Sequence, residues 1–298
     1  MHYLDEHTPH FLRRRTMIAV YGMLLTGVGL SGIASAQSKI IPLPTIINRS
    51  GRLRALSQRM AKAYVQIALG VLPDKAYEIL VSSQALIERN ILDLRTASAT
   101  SYPDALALLG PLDTQAKMLL GFTAQPASKE NTLLVSTQAD LLLVEAEKTT
   151  RFYEALAKSS QAKIVNIAGR QRMLSQLAAK SYLLIQAGHD TKAVRTDLQR
   201  ARTEFKAGLD TMASAPISTV SIRQDLDLAK MQWGAFDTSL EQKPNATMSR
   251  NIATTSERLL ELMDNLTNQY EQALKEMLGL SNSMPDNLAA IAVRYETY

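Results

Sequence analysis

One segment of the sequence occurs twice, and this repeat constrains the fold more than any other feature of the chain. Residues 46–70 read IINRSGRLRALSQRMAKAYVQIALG, and residues 164–188 read IVNIAGRQRMLSQLAAKSYLLIQAG. The two segments are offset by 118 residues, and 13 of their 25 aligned positions are identical. Because an internal repeat of this kind marks repetition of a whole structural unit, the chain is predicted to contain two copies of one module.

The residue pattern within the repeat predicts helices. In the first copy, Ile46, Leu53, Met60 and Ile67 recur every seven residues, which is the spacing of a packed helical seam. Aromatic residues make up only 5% of the chain although apolar residues make up 46%, a usage that favours helices over sheets. The predicted fold class is all-α, with two tandem antiparallel four-helix-bundle modules.

Breaks in the apolar pattern give the predicted boundaries. The helices of the first module are expected at about 46–69, 75–97, 104–123 and from 131 onward. The predicted divisions are a signal peptide at 1–36, a first module at 37–160, a second module at 161–280 and a C-terminal tail at 281–298. Two alternatives stay open at the junction: a break near Ser159 and Ser160, or one continuous helix from about 131 to 187 that joins the modules.

The first 36 residues have the features of an export signal. Residues 13–15 are all arginine, residues 17–30 are apolar and uncharged, and residues 34–36 (Ala-Ser-Ala) fit a small-residue cleavage site. These features predict a periplasmic protein whose signal peptide is cut after Ala36. An uncleaved N-terminal anchor in the inner membrane is the open alternative, because the apolar stretch is close to the shortest that can span a bilayer.

Composition excludes several classes of function. The chain has no cysteine and, after residue 10, a single histidine, His189, so a zinc site lacks ligands. A Ser-His-Asp triad would require His189, and no feature of the sequence indicates a matching serine. The formal net charge of +5 is spread along the chain and does not form the concentrated basic patch of a nucleic-acid binder. We therefore expect a protein that is not an enzyme, uses no metal or cofactor and binds no nucleic acid.

The repeated frame Asn-x-x-Gly-Arg-x-Arg-x-Leu-Ser-Gln indicates an anion site built on a helix. In the first copy Asn48, Gly51 and Arg54 are three residues apart and therefore share one side of the helix. The same frame returns as Asn166, Gly169 and Arg172. Glycine inside a helix costs about 1 kcal/mol relative to alanine, and close approach of another backbone would offset that cost. Two guanidinium groups that converge at such a crossing suit a planar oxyanion.

The alternative interpretation of the repeated frame is an amphipathic helix whose arginines are solvated. Other polar and aromatic positions have simpler interpretations. Asp140, Glu145 and Glu147 are predicted to lie on the solvated face of a helix, and Trp233 is predicted to lie in the core. Two pairs of repeated tyrosines are predicted to pack in helix seams, namely Tyr64 with Tyr182 and Tyr153 with Tyr270.

The frame resembles a known sensor motif. Asn-x-x-Gly-x-x-Arg followed by Ser looks like the P-box of nitrate/nitrite sensor histidine kinases of the NarX type. Residues 165–176, VNIAGRQRMLSQ, resemble more closely the N-terminal domain of type IV pilus methyl-accepting chemotaxis transducers, the PilJ-like family. The resemblance extends over both modules and implies a periplasmic four-helix sensor bundle.

The resemblance also implies roles for individual residues. In the nitrate sensors, the arginine of this frame contacts nitrate at an interface between first helices. That role falls here on Arg54 and Arg172. The other candidate anion-binding residues are the supporting Asn48 and Asn166, the close-approach Gly51 and Gly169, and the additional Arg52 and Arg170.

The sequence thus predicts an exported sensor-type helical protein that recognises a small oxyanion, with nitrate or nitrite as the first candidates. No methylation helices or kinase follow the second module in this sequence, so a membrane-bound kinase or chemotaxis-type transducer is the expected partner. The alternative function is a ligand-free interaction or scaffold protein that binds a transducer or a pilus component. Whether the modules pair within one chain or between the chains of a homodimer stays open.

Overall fold

The structure, a computed structural model, describes residues 41–280, so the predicted export signal and the C-terminal tail lie outside the described residues. This range contains α-helices and one short 3-10 helix at Pro103–Ala105, with no strand between residues 41 and 280. The helices are α1 (Leu43–Leu69), α2 (Pro73–Ser101), α3 (Leu106–Thr123), α4 (Lys129–Ala157), α5 (Ser160–Gln186), α6 (Lys192–Ser214), α7 (Val220–Leu240) and α8 (Ala246–Met277). The all-α prediction is confirmed.

The junction between α4 and α5 is a break, so the alternative of one continuous helix from 131 to 187 is wrong. Lys158 ends α4 in the left-handed conformation with φ of 45°. Ser159 then caps α5, because its hydroxyl oxygen accepts a hydrogen bond from the backbone N–H of Gln161 at 3.2 Å. A serine cap satisfies an N–H group that has no partner within the helix, and this local contact lets the chain reverse direction.

The helices form two antiparallel sets of four. In the first set α1 packs against α2 and α4, and α3 lies against α2 and α4. In the second set α5 packs against α6 and α8, and α7 lies against α6 and α8. The two sets meet chiefly along α1 and α5. These two helices run in the same direction, because both are antiparallel to α4. Along α1, Arg54 and Gln58 bond Glu147 and Asp140 in turn, and along α5, Arg170 and Lys180 bond the same two carboxylates in the same order.

One large hydrophobic core extends through both sets of helices, and a second, smaller cluster contains Val65, Leu183, Leu184 and Val194. Burial is highest in the first helix of each set: 21 of the 27 residues of α1 are buried, against 6 of the 23 residues of the peripheral α6. Trp233 is buried on α7 and stacks on Phe205 of α6 with ring centroids 3.7 Å apart, so its predicted place in the core is confirmed. The polar groups of α1 and α5 consequently have to find partners inside the protein.

Between residues 41 and 280, none of the helices is both long enough and apolar enough to cross a bilayer. The division into modules at residues 160 and 161 stays a prediction.

Candidate functional site at the crossing of two buried helices

The two glycines of the repeated frame lie where α1 meets α5. A methyl group added to Gly169 would come within 3.1 Å of the Nη2 atom of Arg172 and 3.5 Å of the Nη2 atom of Arg54. A methyl group added to Gly51 would come within 2.9 Å of the Arg54 Nη2 atom. The glycines therefore leave room for two guanidinium groups, whereas the sequence suggested that they admit another backbone.

The two frame arginines converge, as predicted, and they do so within one chain. Arg54 is fully buried and Arg172 is 1% exposed. The Nη2 group of Arg54 donates to the side-chain oxygen of Asn166 at 2.7 Å, and the Nη2 group of Arg172 donates to that of Asn48 at 2.8 Å. Each arginine thus binds the asparagine of the other copy, and the alternative of solvated arginines is wrong.

Both arginines are paired with carboxylates of their own set of helices. Arg54 donates through Nη1 to Glu147 of α4 at 2.5 Å, and Arg172 donates through Nη1 to Asp264 of α8. The predicted solvated face of α4 is therefore wrong for Glu147. Salt bridges between buried arginine and carboxylate are charge-assisted and among the stronger protein hydrogen bonds.

The second arginine of each frame connects the two sets of helices. Arg52 of α1 donates to Asp264 of α8 at 3.0 Å, and Arg170 of α5 donates to Glu147 of α4 at 3.2 Å. Arg52 and Arg170 are each roughly one-third exposed, with side-chain exposures of 30% and 28%. Each carboxylate is consequently shared between one arginine of α1 and one arginine of α5.

The frame asparagines are oriented by further carboxylates. The amide nitrogen of Asn48 donates to Glu271 of α8 at 2.6 Å, and that of Asn166 donates to Glu154 of α4. With the amide hydrogens engaged in this way, each side-chain oxygen is left to accept from the arginine opposite. These contacts recur at offsets of 117 and 118 residues, so the two halves of the crossing are related by an approximate two-fold axis.

Burial and neighbouring charges shift the pKa values of Glu147 and Arg172. Burial by itself would raise the pKa of Glu147, but the positive charges of Arg54, Arg151 and Arg170 outweigh it and lower that pKa from 4.5 to about 2. Burial lowers the pKa of Arg172 to about 10, with Asp264 acting in the opposite direction. Glu147 is therefore charged and Arg172 is protonated at pH 7.

A second set of buried charges lies along the same two helices. Lys62 of α1 donates to Glu257 of α8 at 2.5 Å, and Lys180 of α5 donates to Asp140 of α4 at 2.7 Å. Both lysines are buried. The sequence interpretation missed both lysines, although the recurrence of lysine at the same position of both copies was the available signal. The side chain of Asp140, predicted on a solvated face, is 40% exposed and also binds Lys180. The four repeated tyrosines are buried in the core, as predicted.

Arg54 and Arg172 can bind planar, negatively charged groups, and in this structure those groups are carboxylates of the same chain. The carboxylates of Glu147 and Asp264 occupy the positions that an oxyanion would take beside Arg54 and Arg172. Among the described residues no hydrogen-bond acceptor reaches the buried Nε atom of Arg172. Between residues 41 and 280, no group of acidic and histidine side chains is arranged to hold a metal ion.

Part of the chain matches the model of a known protein family. Residues 157–258 match the family model PilJ, described as "Type IV pili methyl-accepting chemotaxis transducer N-term". The matched span covers about a third of the chain and includes the second copy of the frame, Asn166, Gly169 and Arg172. A search of curated proteins and a search of solved structures found no match. This part of the chain is thus similar to a sensor-type signalling domain of chemotaxis transducers.

Proposed function

We propose that the protein is a sensor-type signalling module whose working element is the crossing of α1 and α5. The reciprocal bonds of Arg54 with Asn166 and of Arg172 with Asn48 are the observation that carries this proposal. A slide of α5 along α1 would move Asn166 relative to Arg54 and Arg172 relative to Asn48 in opposite senses, so it would disturb both bonds. It would also disturb the bridges from Arg52 and Arg170. Tightly packed interfaces of this kind change between discrete arrangements rather than gradually, and that behaviour is what a sensor needs.

For the ligand we propose a small oxyanion, with nitrate or nitrite first. Nitrate is planar and accepts parallel hydrogen bonds from a guanidinium group, as a carboxylate does. It would take the place of the Glu147 carboxylate at Arg54 or of the Asp264 carboxylate at Arg172. Arg52 and Arg170 are roughly one-third exposed and would attract the anion from solvent. Release of a carboxylate from the crossing would then transmit binding to α4 or α8.

A specific observation also favours the alternative function. Arg54 and Arg172 are already neutralised by Glu147 and Asp264, and an arginine pair that carries its own counter-ions needs no guest. In that case the network serves to hold the two sets of helices together. The protein would then be a ligand-free interaction or scaffold protein for a transducer or a pilus component.

The remaining parts of the proposal concern location and partners. We infer from the first 36 residues that the protein is exported to the periplasm, with the inner-membrane anchor as the alternative. It would act with a membrane-bound kinase or chemotaxis-type transducer, because the family model that matches residues 157–258 is that of chemotaxis transducers. We further propose that it is not an enzyme and that the first set of helices is a second PilJ-like copy.

Thermal unfolding of the purified chain tests the ligand. Nitrate, nitrite, sulfate and chloride would be compared at constant ionic strength, since a ligand that binds the folded state raises stability by mass action, by about 2.7 kcal/mol at a hundredfold excess over its dissociation constant. A nitrate- or nitrite-specific rise in the unfolding temperature supports the oxyanion site. No rise at concentrations up to about 10 mM, a range that covers ordinary ligand affinities, supports the ligand-free function.

A sensitised variant sharpens this test. Replacing both carboxylates, as Glu147→Gln with Asp264→Asn, removes the internal competitors and leaves two buried guanidinium groups without a counter-ion. The oxyanion proposal predicts that nitrate stabilises this variant more strongly than it stabilises the unmodified chain. Glu78→Gln is the matched control, because Glu78 is 67% exposed and pairs with Lys75 of its own helix, far from the two replaced carboxylates in the sequence.

A further inference from the structure

A row of exposed side chains on α4 is spaced like one strand of a coiled coil. Leu134, Leu141 and Lys148 are seven residues apart, and Thr137 and Val144 lie between them with the same spacing. We call these five residues the α4 seam. Leu134, Leu141 and Val144 are 48%, 47% and 48% exposed, although alternate spacings of three and four are those of residues that face a partner helix.

The second set of helices provides an internal comparison. Helix α8 packs on α5 as α4 packs on α1, and the contacts of the two helices correspond at an offset of 117 residues. The positions of α8 that correspond to the α4 seam are Asn251, Thr254, Arg258, Glu261 and Asn265. All five are polar, so the fold places no requirement for apolar residues on this face. An exposed apolar row without a role in the fold marks an interaction surface.

We propose that the α4 seam binds the α4 seam of a second copy of this chain, with the two helices antiparallel. In an antiparallel pair centred on residue 139, Leu134 lies opposite Val144 of the second copy and Thr137 lies opposite Leu141 of the second copy. The seam is thus complementary to itself, which is the condition for a two-fold symmetric interface. This proposal does not depend on anion binding at Arg54 and Arg172.

Charge at the ends of the seam supports the same register. Glu130 is exposed one turn before Leu134, and the antiparallel pairing places it opposite Lys148 of the second copy. Lys148 is 56% exposed and bonds Glu145 of its own helix at 2.7 Å, a surface pair of a kind that contributes little and can exchange partners. In a parallel pair, by contrast, Lys148 would lie opposite Lys148 of the second copy.

The size of the seam sets the expected affinity. It is about four helical turns long, and a contact of this length belongs to the smaller class of protein interfaces, which are typically weak and transient. We therefore expect a reversible dimer that is populated at chain concentrations of about 10–300 µM.

Sedimentation velocity on the full chain tests the interface. The variant Leu134→Asn, Leu141→Arg, Val144→Glu gives α4 the residues that α8 has at the corresponding positions, so it is expected to stay folded. We expect it to weaken dimerisation at least tenfold, with unchanged helix content and unfolding temperature. The matched control on the other helix, Asn251→Ala with Arg258→Ala, is expected to dimerise as the unmodified chain does.

Two further variants test the register. Glu130→Lys is expected to weaken the dimer, and Glu130→Lys combined with Lys148→Glu is expected to restore it. Because the chain contains no cysteine, Glu130→Cys and Lys148→Cys chains can also be mixed under oxidising conditions. The antiparallel seam predicts a disulfide-linked dimer in the mixture and very little in either variant alone.

The outcomes are distinct. A chain that stays monomeric up to about 300 µM, the upper end of the concentration range expected for this interface, overturns the proposal, as does a dimer that the α4 triple variant leaves intact. A dimer cross-linked efficiently by Lys148→Cys alone contradicts the antiparallel register.

Discussion

Replacing Glu147 by glutamine should destabilise the protein strongly, because it removes the counter-ion of a fully buried arginine. Glu147 bonds Arg54 at 2.5 Å and also pairs with Arg170 and Arg151. Each pKa unit corresponds to about 1.4 kcal/mol, so the fall in the Glu147 pKa from 4.5 to about 2 corresponds to roughly 3 kcal/mol of stabilisation. Removing one partner of a buried ion pair typically costs about 3–5 kcal/mol, and the 20% exposure of Glu147 places the expected cost near the lower value.

The cost should also depend on pH in a defined direction. The pKa of Glu147 is lower in the folded state than in the unfolded chain, so its stabilising effect is complete above pH 5 and is lost as pH falls towards 2. The difference in unfolding free energy between the unmodified chain and Glu147→Gln should therefore fall from about 3 kcal/mol at pH 7 to about 1.5 kcal/mol at pH 3.

Urea unfolding followed by far-ultraviolet circular dichroism at these two pH values measures both quantities. The control is Glu78→Gln, whose surface pair with Lys75 should change stability by less than about 0.5 kcal/mol at either pH. A cost below about 1 kcal/mol at pH 7 would refute the view that Glu147 is the essential counter-ion of Arg54. An equal cost at pH 7 and pH 3 would show that its charge is not the cause.

Three other substitutions test separate parts of the structure. Lys158→Gly should raise the unfolding free energy by about 0.5–1 kcal/mol, because Lys158 has a φ of 45° that glycine adopts without strain; thermal unfolding measures it, and a loss of stability would contradict the left-handed break. Phe205→Ala should cost about 3–5 kcal/mol in urea and alter the fluorescence of Trp233, since the two rings stack; an unchanged emission spectrum would contradict the stacking. Asn166→Ala should cost about 1–3 kcal/mol, because it removes the 2.7 Å bond that the buried Nη2 group of Arg54 donates to the Asn166 side chain, and the same change at the exposed Asn251 should cost almost nothing.

Sequence reasoning captured the features that depend on periodicity. The seven-residue recurrence in α1 and the breaks in the apolar pattern gave the helices and most of their ends, because these signals act locally. Gly70 ends α1 with a φ of 66°, as a glycine after a helix commonly does. The convergence of Arg54 and Arg172 followed from the same spacing combined with the repeat.

The features that it missed depend on which helices become neighbours. Asp140 and Glu147 lie on the side of α4 that faces α1 and α5, and a helix pattern alone does not say where a third helix will pack. Lys62 and Lys180 were overlooked for the same reason, because helices surrounded on most sides bury polar residues as well as apolar ones. The break at Ser159 was undecided because serine is compatible both with a helix cap and with the interior of a helix.

The two sets of helices belong to one chain and share one core. Their sequences can therefore diverge from each other. In an assembly of identical chains every substitution appears twice, whereas a tandem chain can change one face and keep the other. The buried lysines illustrate this freedom: Glu257 also binds Arg59, at 2.6 Å, but the position that corresponds to Arg59 in the second set is the apolar Leu177. The near-symmetric crossing of α1 and α5 therefore lies between two sets of helices that differ in their buried residues. A displacement of the first set is consequently not equivalent to the same displacement of the second set.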